Sequence, residues 1–375
     1  MTSSRRKFLK SGMVTSAGIG LGLNAMRGAE SRNLSSAPMP LHILILGGTA
    51  FLGPHQIKHA LDRGHKISTF TRGRTEPTIN KGLFQHVENL IGDRHDNLKA
   101  LEGRKWDAVI DNSATYPRWV KQTTDILKGN VETYLFTSTL SVHASFEKKG
   151  LTEDDPVATT EDPTVEDMKY YGALKALSED VTRKAFGKGA IIVRPHLIVG
   201  PGDRTDRWTY WPVRIAEGGE VLAPGYPDQA TQYIDVKDLA EFNIRLIEER
   251  ASGTYSAVGP QAPYSMAEML YGVRAVVSKS VSFTWVDQDF LAENDVAPWR
   301  EMTAWMPSGG KRDGFSSFNN NRAVTAGLTF RPLAETARAT LDWWETLPQE
   351  RRSNPKAGLA RNKEKRVLEK WHSRG

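Results

Sequence analysis

"LHILILGGTAFLGPHQIKHALDRGHKISTFTRGR", residues 41–74, decides how the rest of the chain is read. His42 to Leu46 is a short run rich in Ile and Leu that ends on Gly47-Gly48, the pattern of a strand buried on both faces. Pro54 to Arg63 carries apolar residues at helical spacing (Ile57, Ala60, Leu61) and stops at Gly64. Lys66 to Thr71 then alternates as a second strand. Strand, glycine turn, helix and strand, in that order, open a doubly wound parallel α/β sheet. In such a turn Gly47 permits the tight bend and Gly53 lets the helix approach the sheet, while free N–H groups at the helix start offer a seat for a pyrophosphate. Gly47, Gly48, Thr49, Phe51, Leu52 and Gly53 are therefore predicted to cradle a dinucleotide; the alternative is a structural turn in a sheet that binds nothing.

The second strand runs into Thr71-Arg72-Gly73-Arg74. No acid stands there to hold an adenosine ribose hydroxyl, whereas Arg72 and Arg74 offer positive charge to a 2′-phosphate, which favours NADP over NAD. Asp93, in LIGDR, is placed to accept a hydrogen bond from the adenine amine. WDAVIDNSA (Trp106 to Ala114) reads as the next buried strand, with Asn112 to Ala114 at its cofactor-facing end.

Two further stretches carry chemistry. YLFTSTLSVHA (Tyr134 to Ala144) is an apolar strand running into Thr137-Ser138-Thr139. YYGALKALSED (Tyr170 to Asp180) opens a helix on which Tyr171 and Lys175, four apart, share a face. An ammonium beside a phenol favours the phenolate and lowers its ordinary pKa of about 10. Lys175 can also hold a cofactor ribose, and the hydroxyl of Thr139, with Ser138 in reserve, can polarise a substrate carbonyl or alcohol. Together they make a general acid/base for redox chemistry at carbon. A bare Tyr-x-x-x-Lys equally fits a surface helix with a packed tyrosine.

GGTAFLG, FTSTLSVHA and YYGALK are followed by VRPHLIVGPGDR (Val193 to Arg204), QYIDVKDLA (Gln232 to Ala240) and GLTFRPLAETARATLDWW (Gly327 to Trp344). With these, the chain resembles the extended short-chain dehydrogenase/reductase superfamily, of the NAD-dependent epimerase/dehydratase type, over about residues 41 to 347. The resemblance implies a Rossmann sheet with a smaller C-terminal substrate lobe, NADP or NAD as cofactor, Tyr171 as acid/base, Lys175 as its partner and Thr139 as hydroxyl donor. Ala50 departs from the usual middle glycine, and His143 stands where such strands often carry tyrosine. The GGT-x-FLG and T-R-G-R variants set the chain apart from the named sugar-nucleotide epimerases.

Residues 41–200 are then expected to form the NAD(P)-binding domain and 201–347 the substrate lobe, with segments returning to the first sheet. Residues 348–375 read as a basic helical tail with Val367, Leu368 and Trp371 as its packed stripe. Trp208, Tyr210 and Trp211, beside Arg204, Arg207 and Arg214, combine aromatic faces with planar donors, which suits a sugar or polyol. The same residues equally describe a helix of aromatic core residues over the cleft. His196 falls where members of the superfamily line the cleft, Asp235 and Asp238 are expected to fix the lobe junction, and 305–321 reads as a loop over the cleft.

Ahead of the sheet, Arg5 and Arg6 precede a weakly apolar run from Gly12 to Met26, shorter than the ~20 residues a spanning helix needs. The pattern resembles a twin-arginine export signal, with residues 30–40 as a polar linker. It predicts engagement of the twin-arginine translocation machinery and a periplasmic location, or a membrane anchor if the signal stays uncleaved. Residues 1–40 carry +5 and 350–375 carry +6 of the chain's net +6, leaving −5 for the body, so a pI near 9.3 does not mark a nucleic-acid binder. The absence of Cys removes any disulfide framework or thiolate nucleophile, and the nine His show no metal-ligand spacing with carboxylates. A small-molecule substrate is expected, and a homodimer is compatible with the sequence.

Twin-arginine export carries folded proteins, so a nicotinamide cofactor would cross already bound and unable to exchange. That favours redox-neutral chemistry on a free sugar or polyol. Three readings stand: an exported, cofactor-retaining epimerase or dehydratase; an NADP-dependent carbonyl reductase or dehydrogenase of the same fold; and a non-catalytic nucleotide- or RNA-binding module.

Overall fold

The first strand, β1 (His42–Leu46), explains the architecture by itself. Ile43 through Leu46 are all fully buried, yet they divide by parity: Ile43 and Ile45 enter one apolar layer, Leu44 and Leu46 the other. β4 (Ala108–Asp111), β5 (Thr133–Thr137) and β6 (Ala190–Pro195) repeat the division, with Ile110, Leu135 and Ile191 on one side and Val109, Phe136 and Ile192 on the other. A sheet covered on both faces needs such continuous apolar strands, and each buried Leu or Ile contributes about 1.5–3 kcal/mol.

The computed structural model describes residues 36–374; the arginine pair and the apolar run after it lie outside the described residues. With β2 (Lys66–Thr71), β3 (Glu88–Ile91) and β10 (Gly253–Ala257), these strands form a seven-stranded, wholly parallel sheet in the order β3-β2-β1-β4-β5-β6-β10. Helices α1 (Gly53–Asp62) and, later in the chain, Val236–Glu248 pack against one face. Helices α2 (Pro117–Leu127) and α3 (Tyr171–Phe186) pack against the other. The chain runs outward from β1 and then returns to β4, so the crevice between their carboxyl ends is the place where such sheets bind ligands.

After β6 the chain builds smaller sheets: β7 (Ile198–Val199), β9 (Ala230–Asp235) and β11 (Gly259–Ser265) in one, β8 (Gly219–Pro224) paired with β12 (Val281–Val286) in another. Helices α4 (Tyr210–Glu217), α5 (Val236–Glu248) and α6 (Met266–Arg274) alternate with them. There follow α7 (Gln288–Glu293), α8 (Asn321–Thr325), α9 (Leu333–Glu345), α10 (Gln349–Ser353) and α11 (Arg361–His372). Trp208, Trp211 and Trp305 fill the core of this part. Two polar clusters fasten it. Arg331 bonds Asp238 (2.7 Å) and Glu241 (2.8 Å), while Asp235 accepts from Thr336 (2.6 Å). The buried Arg214–Glu364 pair (2.7 Å) ties α11 to α4, and Val367 and Leu368 are buried beside it. Within the described residues, 38–374 form one compact unit.

Candidate functional site

The turn after β1 is shaped for close approach. Gly47 adopts φ +86°, and a Cβ there would lie 2.7 Å from that of Ser113; a Cβ on Gly53 would lie 2.2 Å from the Gly48 carbonyl oxygen. α1 starts without a side-chain cap and without an acid in its first turn; Pro54 brings no N–H and the His55 and Gln56 N–H groups donate to the Leu52 carbonyl (both 3.1 Å), so an anion at this end would meet the N–H groups of Leu52 and Gly53. His55 holds the turn from behind, its Nε2 2.8 Å from the Pro201 carbonyl, and burial lowers its pKa to about 4. A cradle that side chains would fill, an uncapped helix start and the Asn112–Ala114 strand end beside them fit a dinucleotide.

A buried network orders that strand end. Arg94 grips Asp111 with both terminal nitrogens (Nη2–Oδ2 2.7 Å), and Tyr134 donates to the same carboxylate (2.7 Å). The guanidinium holds the Asp111 carboxyl below the usual range despite complete burial. Asp111 also accepts from the Ser113 and Ala114 N–H groups (both 3.2 Å), fixing the turn that lines the site. Beside it, Thr137 donates to Asn112 (2.9 Å), which donates in turn to Gln56 (2.6 Å).

Beyond the strand ends lies a cavity of about 380 Å³, lined by Phe51, Ser138, Thr139, Tyr171, Lys175, His196 and Arg204 among the residues singled out from sequence. The half-buried Tyr171 phenol and the Thr139 hydroxyl line it together. Burial raises the phenol's pKa, against the Thr139 hydroxyl and the Arg207 charge, so the resting phenol keeps its proton. Thr139 also caps the short turn after β5, its Oγ1 accepting from Ser141 N (3.1 Å).

Lys175 does not sit as the spacing predicts. Its Nζ donates to the carbonyls of Thr137 (2.7 Å) and Ala114 (2.9 Å) and lies over the Phe136 ring (4.1 Å to the centroid). The helix does put Tyr171 and Lys175 on one face, but the long lysine stem delivers its charge to the ends of β4 and β5 rather than to the phenol. Burial pulls the ammonium's pKa down to about 7. The cation that acts on the phenol is Arg207. Ser138 is likewise diverted: its hydroxyl donates to Glu179 (2.6 Å), which Arg194 clamps (2.7 and 2.9 Å).

The aromatic trio goes elsewhere. Trp208 and Trp211 are fully buried and Tyr210 is 6% exposed, all three in the second core rather than at this cavity. Trp211 Nε1 is spent on the Thr303 carbonyl (2.7 Å). Arg72 and Arg74 are exposed at the end of β2, and Asp93 accepts from His95 N (3.0 Å); none of the three lines the cavity. His196 lines it as a neutral ring: Nε2 lies 2.9 Å from the Phe315 carbonyl, and burial lowers its pKa to about 4.

The sequence reading missed Asp203, Trp299 and Phe315 as lining residues; Arg207, expected as a planar donor beside the aromatic trio, lines this cavity without them. Asp203 is 1% exposed; Oδ1 accepts from Thr205 twice, Oδ2 has no partner, and burial raises its pKa. The Gly, Ser and Asn content of 305–321 was the only signal for Phe315.

A parallel sheet with a glycine turn at its switch point and hydroxyl-bearing residues over the strand ends defines a Rossmann-type dinucleotide fold. Residues 43–258 match the model of the NAD dependent epimerase/dehydratase family, and the chain belongs to that family. It is 27% identical to the 2-alkyl-3-oxoalkanoate reductase of Stenotrophomonas maltophilia, over 65% of this chain and 79% of that one. It is 26% identical to the chloroplast stem-loop binding protein of 41 kDa b of Arabidopsis thaliana, over 58% of each. The chain spans about three-fifths of the length of two of the curated relatives it matches. The structure resembles that of the UDP-glucuronic acid 4-epimerase of Bacillus cereus in complex with NAD, with a TM-score of 0.56 and 17% identity over 80% of this chain and 96% of that one.

Proposed function

We propose that the protein is an NAD(P)-dependent enzyme of the epimerase/dehydratase type, exported by the twin-arginine route, that converts a sugar or polyol while retaining its cofactor. The observation that carries the reading is the Tyr171–Thr139 hydroxyl pair at the mouth of the β1/β4 crevice, inside a cavity with its own polar and aromatic lining. Gly47, Gly48 and the start of α1 would hold the pyrophosphate and Lys175 the ribose beside the nicotinamide. When bound, the nicotinamide supplies reversible redox chemistry at a substrate carbon.

The chain's own residues do the rest. Tyr171, once its phenol has given its proton to solvent, takes the proton of the substrate hydroxyl as that carbon is oxidised and returns it to the alkoxide as the carbon is reduced again. Thr139, lining the same cavity, holds that oxygen through its hydroxyl. The unpartnered Oδ2 of Asp203 accepts from a substrate hydroxyl, Arg207 donates to another, and the faces of Trp299 and Phe315 pack against sugar C–H groups. Retention of the cofactor restricts turnover to conversions with no net redox change. Arg72 and Arg74 support NADP over NAD, whereas the Bacillus epimerase structure holds NAD. That neighbour acts on a nucleotide sugar; an exported enzyme is better matched to a free sugar or glycoside.

Native mass spectrometry of the exported protein tests the proposal: one dinucleotide per chain is expected, with nicotinamide absorbance after denaturation. Exported protein free of nucleotide overturns it. The reductase reading has one observation in its favour, the 27% identity to an oxoalkanoate reductase. A cofactor that changes redox state with a single substrate and stays changed would establish that reading instead.

A further inference from the structure

A second cavity, of about 510 Å³, lies against α4, where Trp344 and the connection 352–361 form its other walls. Its volume is within the few hundred to 1,000 Å³ of small-molecule sites. The polar groups around it are unevenly satisfied. Arg351 is spent on Asp206 (2.5 Å), whose other oxygen accepts from Lys356 N (2.8 Å). Arg361 is spent on Glu217 (2.5 and 3.0 Å). Three groups are left over, the buried Tyr210 hydroxyl being one, without a hydrogen-bond partner. Thr209 is 1% exposed and its Oγ1 has no hydrogen-bond partner; the buried Nε of Arg352 has none either, and among the described residues no carboxylate pairs with that guanidinium. Buried polar atoms normally find partners, and an orphaned donor costs about 1–3 kcal/mol. Here two hydroxyls and a cation without partners line one cavity.

The Tyr210 and Trp344 rings, Val213 and Leu359 supply its apolar wall, and Ser353 and Asn354 stand at its polar side. One uncompensated positive charge calls for one negative charge, and a planar guanidinium fork matches a carboxylate. A phosphate dianion would need a second cation in the lining, and the other one there, Arg361, is neutralised by Glu217. The geometry points to a binding site for a small carboxylic acid with an aromatic or branched apolar body, its carboxylate taking hydrogen bonds from Arg352 and Thr209. The site is separate from the catalytic cavity and independent of the function proposed above. Asp206 walls it while Asp203, Thr205 and Arg207 wall the other, so a single turn of chain touches both.

Phenylacetate, titrated into the purified full chain by calorimetry, tests the assignment, with 2-phenylethanol as its neutral counterpart. Saturable binding with a Kd on the order of 1 mM or tighter is expected for a ligand of that size. Arg352→Gln should weaken it about tenfold or more, and Thr209→Val about threefold. 2-Phenylethanol should bind at least about tenfold more weakly than phenylacetate, and Tyr171→Phe should leave phenylacetate binding unchanged. A wild-type crystal soaked in phenylacetate should show the carboxylate against Arg352 and Thr209, a result that does not depend on the variants folding. Absence of saturation, equal binding by the neutral counterpart, insensitivity to Arg352→Gln, or density only in the catalytic cavity would each overturn the assignment.

Discussion

Helices α3 and α4 open on the same pattern, a tyrosine with a basic residue four positions on: Tyr171 with Lys175, Tyr210 with Arg214. In both, the two residues share a helix face, and from spacing alone they are equivalent. Their surroundings separate them. Tyr171 stands at the carboxyl edge of the parallel sheet, with its phenol beside Thr139 and open to a cavity. Tyr210 is packed into the second core, and burial drives its phenol pKa up. The two cations diverge as well. Lys175 finds only backbone carbonyls and its pKa falls to about 7, while Arg214 is matched by the Glu364 carboxylate and the Gly218 carbonyl (3.0 Å). A tyrosine–cation pair is open to a cavity when the helix starts where strand ends leave a gap, and is a structural brace when it starts inside a packed layer.

Substitutions that exchange chemistry for stability break this comparison most directly. Tyr171→Phe removes one oxygen from a partly open position, so turnover should fall by about 10²–10⁴. The urea midpoint should stay within experimental error of wild type. The opposite pattern is expected in α4. Trp211→Ala should cost about 3–5 kcal/mol of unfolding free energy, as large-to-small changes at fully buried aromatics do, while the folded fraction keeps its kcat. Both are read from urea titrations and initial rates on the same preparations. A Tyr171→Phe protein that turns over normally, or a Trp211→Ala protein that is stable but inactive, would reverse the roles assigned to the two helices.

The fold was legible because its signals are local. The β1 apolar run, the Gly47–Gly53 turn and the helix to Arg63 each follow from neighbouring residues, and family membership rests on motifs of that kind. The Tyr171–Thr139 pairing was legible for a similar reason, since each lies next to a strand or helix end that the apolar pattern locates. What the sequence hid was side-chain reach and non-local lining. Lys175 and Ser138 do line the cavity, but the carbonyls of Ala114 and Thr137 and the carboxylate of Glu179 that capture them come from other elements. Trp299 and Phe315 enter the cavity from loops about a hundred residues past β6, and no periodicity marks them. Trp208 and Trp211 were ambiguous because a ring that stacks on sugar and a ring that fills a core have the same composition signal.

Buried histidines sharpen the contrast between the two sides of the crevice with a smaller effect. His55 braces the glycine turn and His196 lines the cavity, and burial lowers each pKa from the usual 6.5 to about 4. Between those values the unfolded chain takes up a proton at each ring and the folded chain does not, so stability falls as pH falls. Over that interval the loss approaches about 3 kcal/mol per ring. Asp238, raised by burial to about 6, works in the opposite sense by taking a proton in the folded state. The difference between wild type and His55→Gln therefore isolates the ring: urea stability at pH 7 minus that at pH 5 should shrink in the variant. An unchanged difference would mean that His55 already carries its proton in the folded protein.

The smallest effect belongs to the exposed end of the cofactor crevice. Arg72 and Arg74 lie in water, where a single charge contact is worth about 0.2–1 kcal/mol and is screened within a Debye length of about 8–10 Å. Contact with a 2′-phosphate by both would favour NADP over NAD by no more than about tenfold to thirtyfold, with the advantage shrinking as salt rises. Ser substitution at either position should remove part of that preference, at both together nearly all of it, and neither should alter affinity for NAD. Fluorescence titration of the two reduced cofactors at low and high salt reads this directly. Equal affinities in the wild-type protein, or a preference that ignores ionic strength, would leave the two arginines as solvated residues. The glycine turn, with its fixed φ and short Cβ clearances, would then carry cofactor recognition without them.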